Sequence, residues 1–316
     1  MNKVKLITII AWTVSALAMI GLVIFFITGT IFGFGEGGFG GGRFFGSGRL
    51  FDGGFGVNIQ SLGGSFDVQG EHSVPTANID TVDVRWVAGE VRVTPHDGEN
   101  IIIIESAQRE LRSNETLRYA VSGSTLRIDF RESGTFRGRM PAKNLEILVP
   151  RTLSESMELL RVDTVSNEII VTDITAQSLR SSATSARVNV SGTFNDVNLN
   201  NVSGNITLNN LAENSRVEVD TVSGSTDLTG RFRTINVSKV SGSTSVESAI
   251  LPYSLNITGV SGRVDIRVPA DDGSIAVNHS AVSGRLTSEI PMTTQGGNAQ
   301  FRISTVSGNT TILPLD

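Results

Sequence analysis

The stretch that decides the fold is RVEVDTVSGSTDL, residues 216–228. Val217 and Val219 alternate, two residues intervene, and then come Val222, Ser223 and Gly224, followed by Thr226 and Leu228 on a renewed alternation. With Φ for an apolar or β-branched residue, the frame is Φ-x-Φ-x-x-V-S-G-x-Φ-x-Φ. It recurs at Val197 to Leu208, Ile235 to Val246, Leu255 to Ile266 and Phe301 to Ile312, and more loosely at Leu160 to Val171 and around Thr184-Ser185-Ala186. The segment Val82 to Val93 obeys it as well. Anchor positions at 165, 184, 202, 222, 240, 260, 282 and 306 give a period of 18 to 24 residues.

A repeat of this length with period-two alternation inside each unit indicates stacked strand units. The expected fold is all-β: a β-solenoid of 18–24 residue rungs. The two residues before each valine break the alternation, so a bend is expected there. Glycine two residues later falls on the inward parity, where a side chain would crowd the bend, and the serine between points outward. Eight rungs at about 4.8 Å make a rod of roughly 35 to 40 Å. Ser166, Ser185, Ser203, Ser223, Ser241, Ser261, Ser283 and Ser307 are expected to form a ladder along one edge.

Residues 94–160 do not hold the frame. IIIIE (101–105), LRYAV (117–121), TLRIDF (125–130) and NLEILVP (144–150) read as short strands joined by polar turns, suited to capping the first rung. Pro314 is expected to blunt pairing at the far end.

The N-terminus sets location. After Lys3 and Lys5, residues 6–28 carry no charge over 23 positions, enough for a transmembrane helix across a core of about 30 Å. Ala16-Leu17-Ala18 would suit a signal peptidase, but the apolar run continues through Phe26, too far for an ordinary signal peptide. The flanking lysines put residues 1–5 in the cytoplasm and the rest outside the cell membrane. Residues 29–64 contain 15 of the 34 glycines and 7 of the 15 phenylalanines and read as a flexible linker. Two further parts follow: 65–160 as an N-terminal β part and cap, and 161–316 as the repeat.

Composition narrows function. The absence of cysteine excludes disulfide scaffolds, thiolate metal sites and cysteine nucleophiles, and a net charge of −5 argues against a nucleic-acid partner. No zincin, Walker, EF-hand or nucleophile-elbow motif occurs. His72, His96 and His279 lack metal-ligand spacing, and His279 falls at an inward position of a loose repeat. Asp163 and Asp220 align two residues before the anchor valine but with two rungs between them, roughly 14 Å, too far for a catalytic carboxylate pair. Residues 131–143, with Arg131, Arg137, Arg139 and Lys143 against Glu132, read as a hydrated loop, the other reading being a docking site for an anionic lipid headgroup or wall polymer. No catalytic, cofactor-binding or metal residue is assigned, and no cofactor is expected.

The units TVSGSTDL, KVSGSTSV, GVSGRVDI and TVSGNTTI, following NLEILVPRTL, resemble the bacterial DUF4097 family of adhesin-like β-strand repeats over roughly residues 79–316. Anchored members resemble Lia-type envelope-stress proteins. The resemblance implies a membrane-tethered, extracytoplasmic non-enzyme: a binding or scaffolding module whose partner is an envelope protein, a wall polymer or an anionic lipid. The alternatives are a polysaccharide-active β-helix enzyme and a self-assembling filament.

Overall fold

A computed structural model describes residues 65–131, 141–270, 275–293 and 296–315. The anchor and glycine tether expected from the sequence lie outside the described residues, as do Arg137 and Arg139. Among the described residues no helix is long and apolar enough to cross a membrane.

The chain begins with β1 (Asp67–Pro75), β2 (Thr81–His96) and β3 (Asn100–Ala107), then β4 (Arg118–Ser122), β5 (Thr125–Asp129) and β6 (Lys143–Pro150). One helical turn, α1 (Arg151–Ser154), leads into β7 (Leu159–Ser203), a 45-residue strand that runs through several rungs. Next come β8 (Ile206–Ser223), β9 (Thr226–Ser241), β10 (Thr244–Ser248), β11 (Ser254–Ser261) and β12 (Val264–Val268). The remainder is β13 (Ile275–Ser283), β14 (Leu286–Ser288), β15 (Met292–Thr293), β16 (Ala299–Ser307) and β17 (Thr310–Pro314).

Rungs stack in parallel and in register. Val217 of β8 lies beside Val197 on one side and Ile235 on the other, and Leu208 lies beside Val190 and Leu228. Equivalent aliphatic residues therefore pile into columns, and nearly all of them are buried. Ser203, Ser223, Ser241, Ser261, Ser307 and Ser283 share one register column, as the repeat requires.

The corner is built differently from the sequence expectation. Inward alternation continues through the residue before the anchor valine: Thr164, Asn201, Thr221, Lys239 and Thr305 are buried, whereas Val202, Val222, Val240, Val260 and Val306 are only half-buried. The interruption therefore falls across V-S-G-x. The buried corner side chain has a task, because the bend exposes carbonyls to the interior. Asn201 Nδ2 donates to the Ala186 carbonyl at 2.8 Å, and Lys239 Nζ donates to that of Gly224 at 3.2 Å. An aliphatic residue there would leave a buried acceptor unpaired.

Glycine at the bend answers to two constraints together. At Gly224 φ is +122°, and a Cβ there would collide with the carbonyl oxygen of Gly204 in the adjoining rung. Gly242 stands against Gly224 in the same way, and Gly262 against Gly242.

Rung order departs from sequence order at the end. β11 pairs with β16, not β13, and β12 pairs with β17; β13 and β14 then pair with the outer sides of β16 and β17. The last rung in sequence is inserted between the two before it, so Pro314 does not close the stack. Burial accounts for the choice. Phe301, Ile303 and Ile312 are fully buried and gain from neighbours on both sides, whereas the corresponding side chains of β13 and β14 are Val277, His279 and Ser288. The rung that loses least takes the end.

At the opposite end β4 and β5 form a hairpin, β5 and β6 lie parallel to the two halves of β2, and β3 runs antiparallel to both β1 and β6. Val121-Ser122-Gly123 sits in the hairpin turn, so the same tripeptide serves there as a turn and not as a rung corner. Lys143 is 0% exposed beneath this cap. Its ammonium donates to Glu105 at 2.6 Å, to the Glu115 carbonyl at 2.6 Å and to the Phe130 carbonyl, and it lies over the rings of Trp86 and Phe130. Lys143 is thus a buried structural cation, not a residue of a hydrated loop or docking site, and Arg131 is half-buried.

Candidate functional site: a polar track along the rod

Strand alternation sends the residues two and four before each anchor position to the outer face, and parallel register stacks them. Four residues before the anchor, the column reads Arg127, Asp83, Arg161, Arg180, Asn198, Glu218, Asn236, Asn256, Arg302 and Asn278. Two residues before it, the column reads Asp129, Arg85, Asp163, Ser182, Asn200, Asp220, Ser238, Thr258, Ser304 and Ser280. Arg180 and Ser182 take their places because the amides of Gln177 and Ser178 bond to the carbonyls of Met157 and Glu158 in the preceding rung. Across ten rung positions, three of them in β7, the track holds five guanidinium groups and five carboxylates.

Near the cap the charges alternate in both directions. Asp83 lies 3.4 Å from Arg85, 3.3 Å from Arg127 and 3.9 Å from Arg161, while Arg161 reaches Asp163 at 2.8 Å. Asp163 is 2% exposed, and burial raises its pKa against the pull of Arg161. Burial likewise raises that of Asp129 against Arg85 and Arg127. At Asp220 burial and then the neighbouring Glu218 raise the pKa, opposed by a hydrogen bond from Ser238.

A groove of about 530 Å³ opens on this face over β7 and the second half of β8. Arg161, Asp163, Arg180, Asp196, Asn198, Asn200, Arg216 and Glu218 line it, with Ser178 and Ser182. Asn200 donates to Asn198 at 2.6 Å, and Asn198 lies 3.5 Å from Glu218. Arg216 stands 4.0 Å from Glu218.

The residues weighed from sequence fall as follows. Asp163 lines the groove and Asp220 does not; Ser182 and Asn200 separate them in the column. The carboxylate brought near Asp163 is Asp83, with Arg161 between them. His72 packs on Tyr119 with ring centroids 5.0 Å apart, and His96 bonds to the Asn100 carbonyl at 2.8 Å in a turn. His279 is half-buried in the end rung, its Nε2 without a hydrogen-bond partner. Among the described residues no group of three His, Asp or Glu could hold a metal ion. The groove does not show in the inward alternation that sets the fold. The same alternation marks the outward set, and Arg161, Arg180, Asn198 and Glu218 are visible at the fourth residue before successive anchors.

Residues 79–313 match the family described as Toastrack DUF4097. No curated protein matches the chain. Solved structures of similar chains include a provisionally named adhesin from Bacteroides fragilis, at 13% identity and TM-score 0.40, covering 79% of this chain and 97% of that one. A provisionally named lipid-binding protein from Parabacteroides distasonis shows 13% identity and TM-score 0.45, covering 80% of this chain and 98% of that one. A provisionally named cell adhesion protein from Clostridium sporogenes shows 10% identity and TM-score 0.28, covering 79% of this chain and 100% of that one. Likeness at this distance carries no argument about ligand or partner.

Proposed function

Since the chain belongs to the Toastrack DUF4097 family, we propose that its β rod is a non-enzymatic binding module of the cell envelope, held outside the membrane by the apolar helix at 6–28 and the glycine tether at 29–64. The observation that carries the reading is the unbroken polar track, with a groove of about 530 Å³ set into it. A face that presents in-register polar groups over ten rung positions suits an extended partner better than a small substrate. Its most buried carboxylates are held by guanidinium groups rather than facing one another across a space for a reacting atom. A role in envelope stress extends the same proposal.

Capture of envelope material by the full-length protein in nanodiscs tests it. Asn198→Ala with Glu218→Ala should abolish capture, whereas substitutions on the outer face of the second leg, the part of each rung that follows the corner, such as Asp227→Ala with Glu247→Ala, should leave it intact. Equal capture by both variants would refute the track as the binding face. For the alternative of a polysaccharide-active enzyme, the discriminating result is turnover of a wall polysaccharide that disappears in Asp163→Asn.

A further inference from the structure

We infer that the groove over β7 and β8 takes a neutral glycan strand lying along the rod axis, with one sugar unit to each rung. The inference rests on the binding-module reading and specifies its ligand.

Direction comes first. The groove crosses successive rungs, so a ligand filling it meets equivalent positions at the strand spacing of about 4.8 Å. A 1,4-linked pyranose chain advances by nearly this length per sugar, so its units and the rungs stay in step over several repeats.

Charge decides the class. Arg161, Arg180 and Arg216 are matched by Asp163, Asp196 and Glu218, which leaves the groove no net field for holding a polyanion or a polycation. What it offers instead is dense, two-sided hydrogen bonding. Carboxylates accept, guanidinium groups donate, and the Asn198–Asn200 pair does both. Planar groups of these kinds side by side fit the adjacent hydroxyls of a sugar ring, each of which donates and accepts. The Arg180 guanidinium forms no ion pair or hydrogen bond among the described residues, so its donors are available to a ligand. The groove carries no aromatic side chain, so each sugar would be held by hydrogen bonds alone and affinity would accumulate with chain length.

The test is calorimetric titration of the full-length protein in nanodiscs with β-1,4-linked N-acetylglucosamine oligomers, with polyphosphate as the anionic comparison. The expected result is saturable binding that strengthens from disaccharide to hexasaccharide and is little changed by added salt. Asn198→Ala with Asn200→Ala should weaken it at least tenfold with an unchanged circular dichroism spectrum, and Glu218→Gln should weaken it less. Binding of polyphosphate alone, binding suppressed by salt, or a hexasaccharide affinity unaltered by the double substitution would each overturn the inference. No hexasaccharide binding together with intact, track-dependent capture of envelope material would refute the glycan and leave the binding module standing. Loss of both would refute the module as well.

Discussion

Single residues at the rung corner carry more of the fold than their size suggests. Gly224 combines a left-handed backbone with contact against the carbonyl of Gly204, so Gly224→Ala should cost roughly 2–5 kcal/mol, from backbone strain and overpacking together. Gly123 also has positive φ, +61°, but a Cβ there would meet nothing within 4 Å, and Gly123→Ala should cost only about 1 kcal/mol. Denaturant unfolding of the two variants separates stacking from backbone preference. Equal costs would show that the stack does not bear on the glycine.

The buried lysines make a second prediction at this scale. Burial pulls Lys143 and Lys239 down to about 8 from an ordinary value of 10.5, outweighing the nearby carboxylates. Between about pH 8 and 10.5 the unfolded chain therefore holds more protons than the folded one, and stability rises with pH across that window. Below it both states are protonated and the slope vanishes. Chemical denaturation at a series of pH values should show this rise. Lys239→Thr, which installs the corner residue of neighbouring rungs, should reduce it; a flat or falling profile would contradict the assignment.

Among elements, the end rung β13–β14 is the weakest. His279 occupies the column of Ile303 and Ile257, and burial lowers its pKa. Protonation is then taken up more readily by the unfolded rung, so the rung should loosen as pH falls through the ordinary histidine range near 6.5. Hydrogen exchange should show β13 losing protection first on acidification. His279→Ile should remove that sensitivity and add about 1 kcal/mol of stability. Uniform protection along the rod would refute the weak end.

The order of rungs is equally testable, because the chain contains no cysteine. Asn256→Cys with Arg302→Cys should form a disulfide, since the two are register partners in β11 and β16, whereas Asn256→Cys with Asn278→Cys should not. The reverse result would restore sequence order.

Much of this architecture is legible in the sequence, for a definite reason. Val217, Val219, Thr226 and Leu228 report the inward face because burial constrains them directly, and glycine reports the bend because no other residue fits it. Rung order is not legible, since parallel register is set by the same alternation whichever neighbour lies alongside; only the poorer inward set around His279 hints at an end position. The exact corner residue is not legible, because Thr221, Asn201 and Lys239 are polar and sequence alternation favours the valine after each of them. Their burial depends on carbonyls that exist only once the bend has formed. The groove is half legible: its residues follow from parity, but the depth that makes them a site depends on how neighbouring rungs pack.

For the whole molecule, ten rung positions at roughly 4.8 Å make a track about 43 Å long. Its charges balance, while the complete chain carries −5 at pH 7, so the track is electrostatically distinct from the protein that bears it. That contrast predicts partner binding of low salt dependence, through hydrogen bonds repeated along the rod rather than through long-range attraction. Both lysines before the apolar segment precede residue 6, which gives the proposed orientation: the rod outside and open to a protease added to whole cells.

The most direct measurement is site-specific photo-cross-linking in intact cells, with a photoreactive residue placed in turn at Asn198, Asn236 and Asn256 on the track and at Thr207, Asp227 and Glu247 on the outer face of the second leg. Labelling of one dominant envelope component from the first three positions and not from the others is the predicted result. Equal labelling from both faces, or none from the track, would contradict the account.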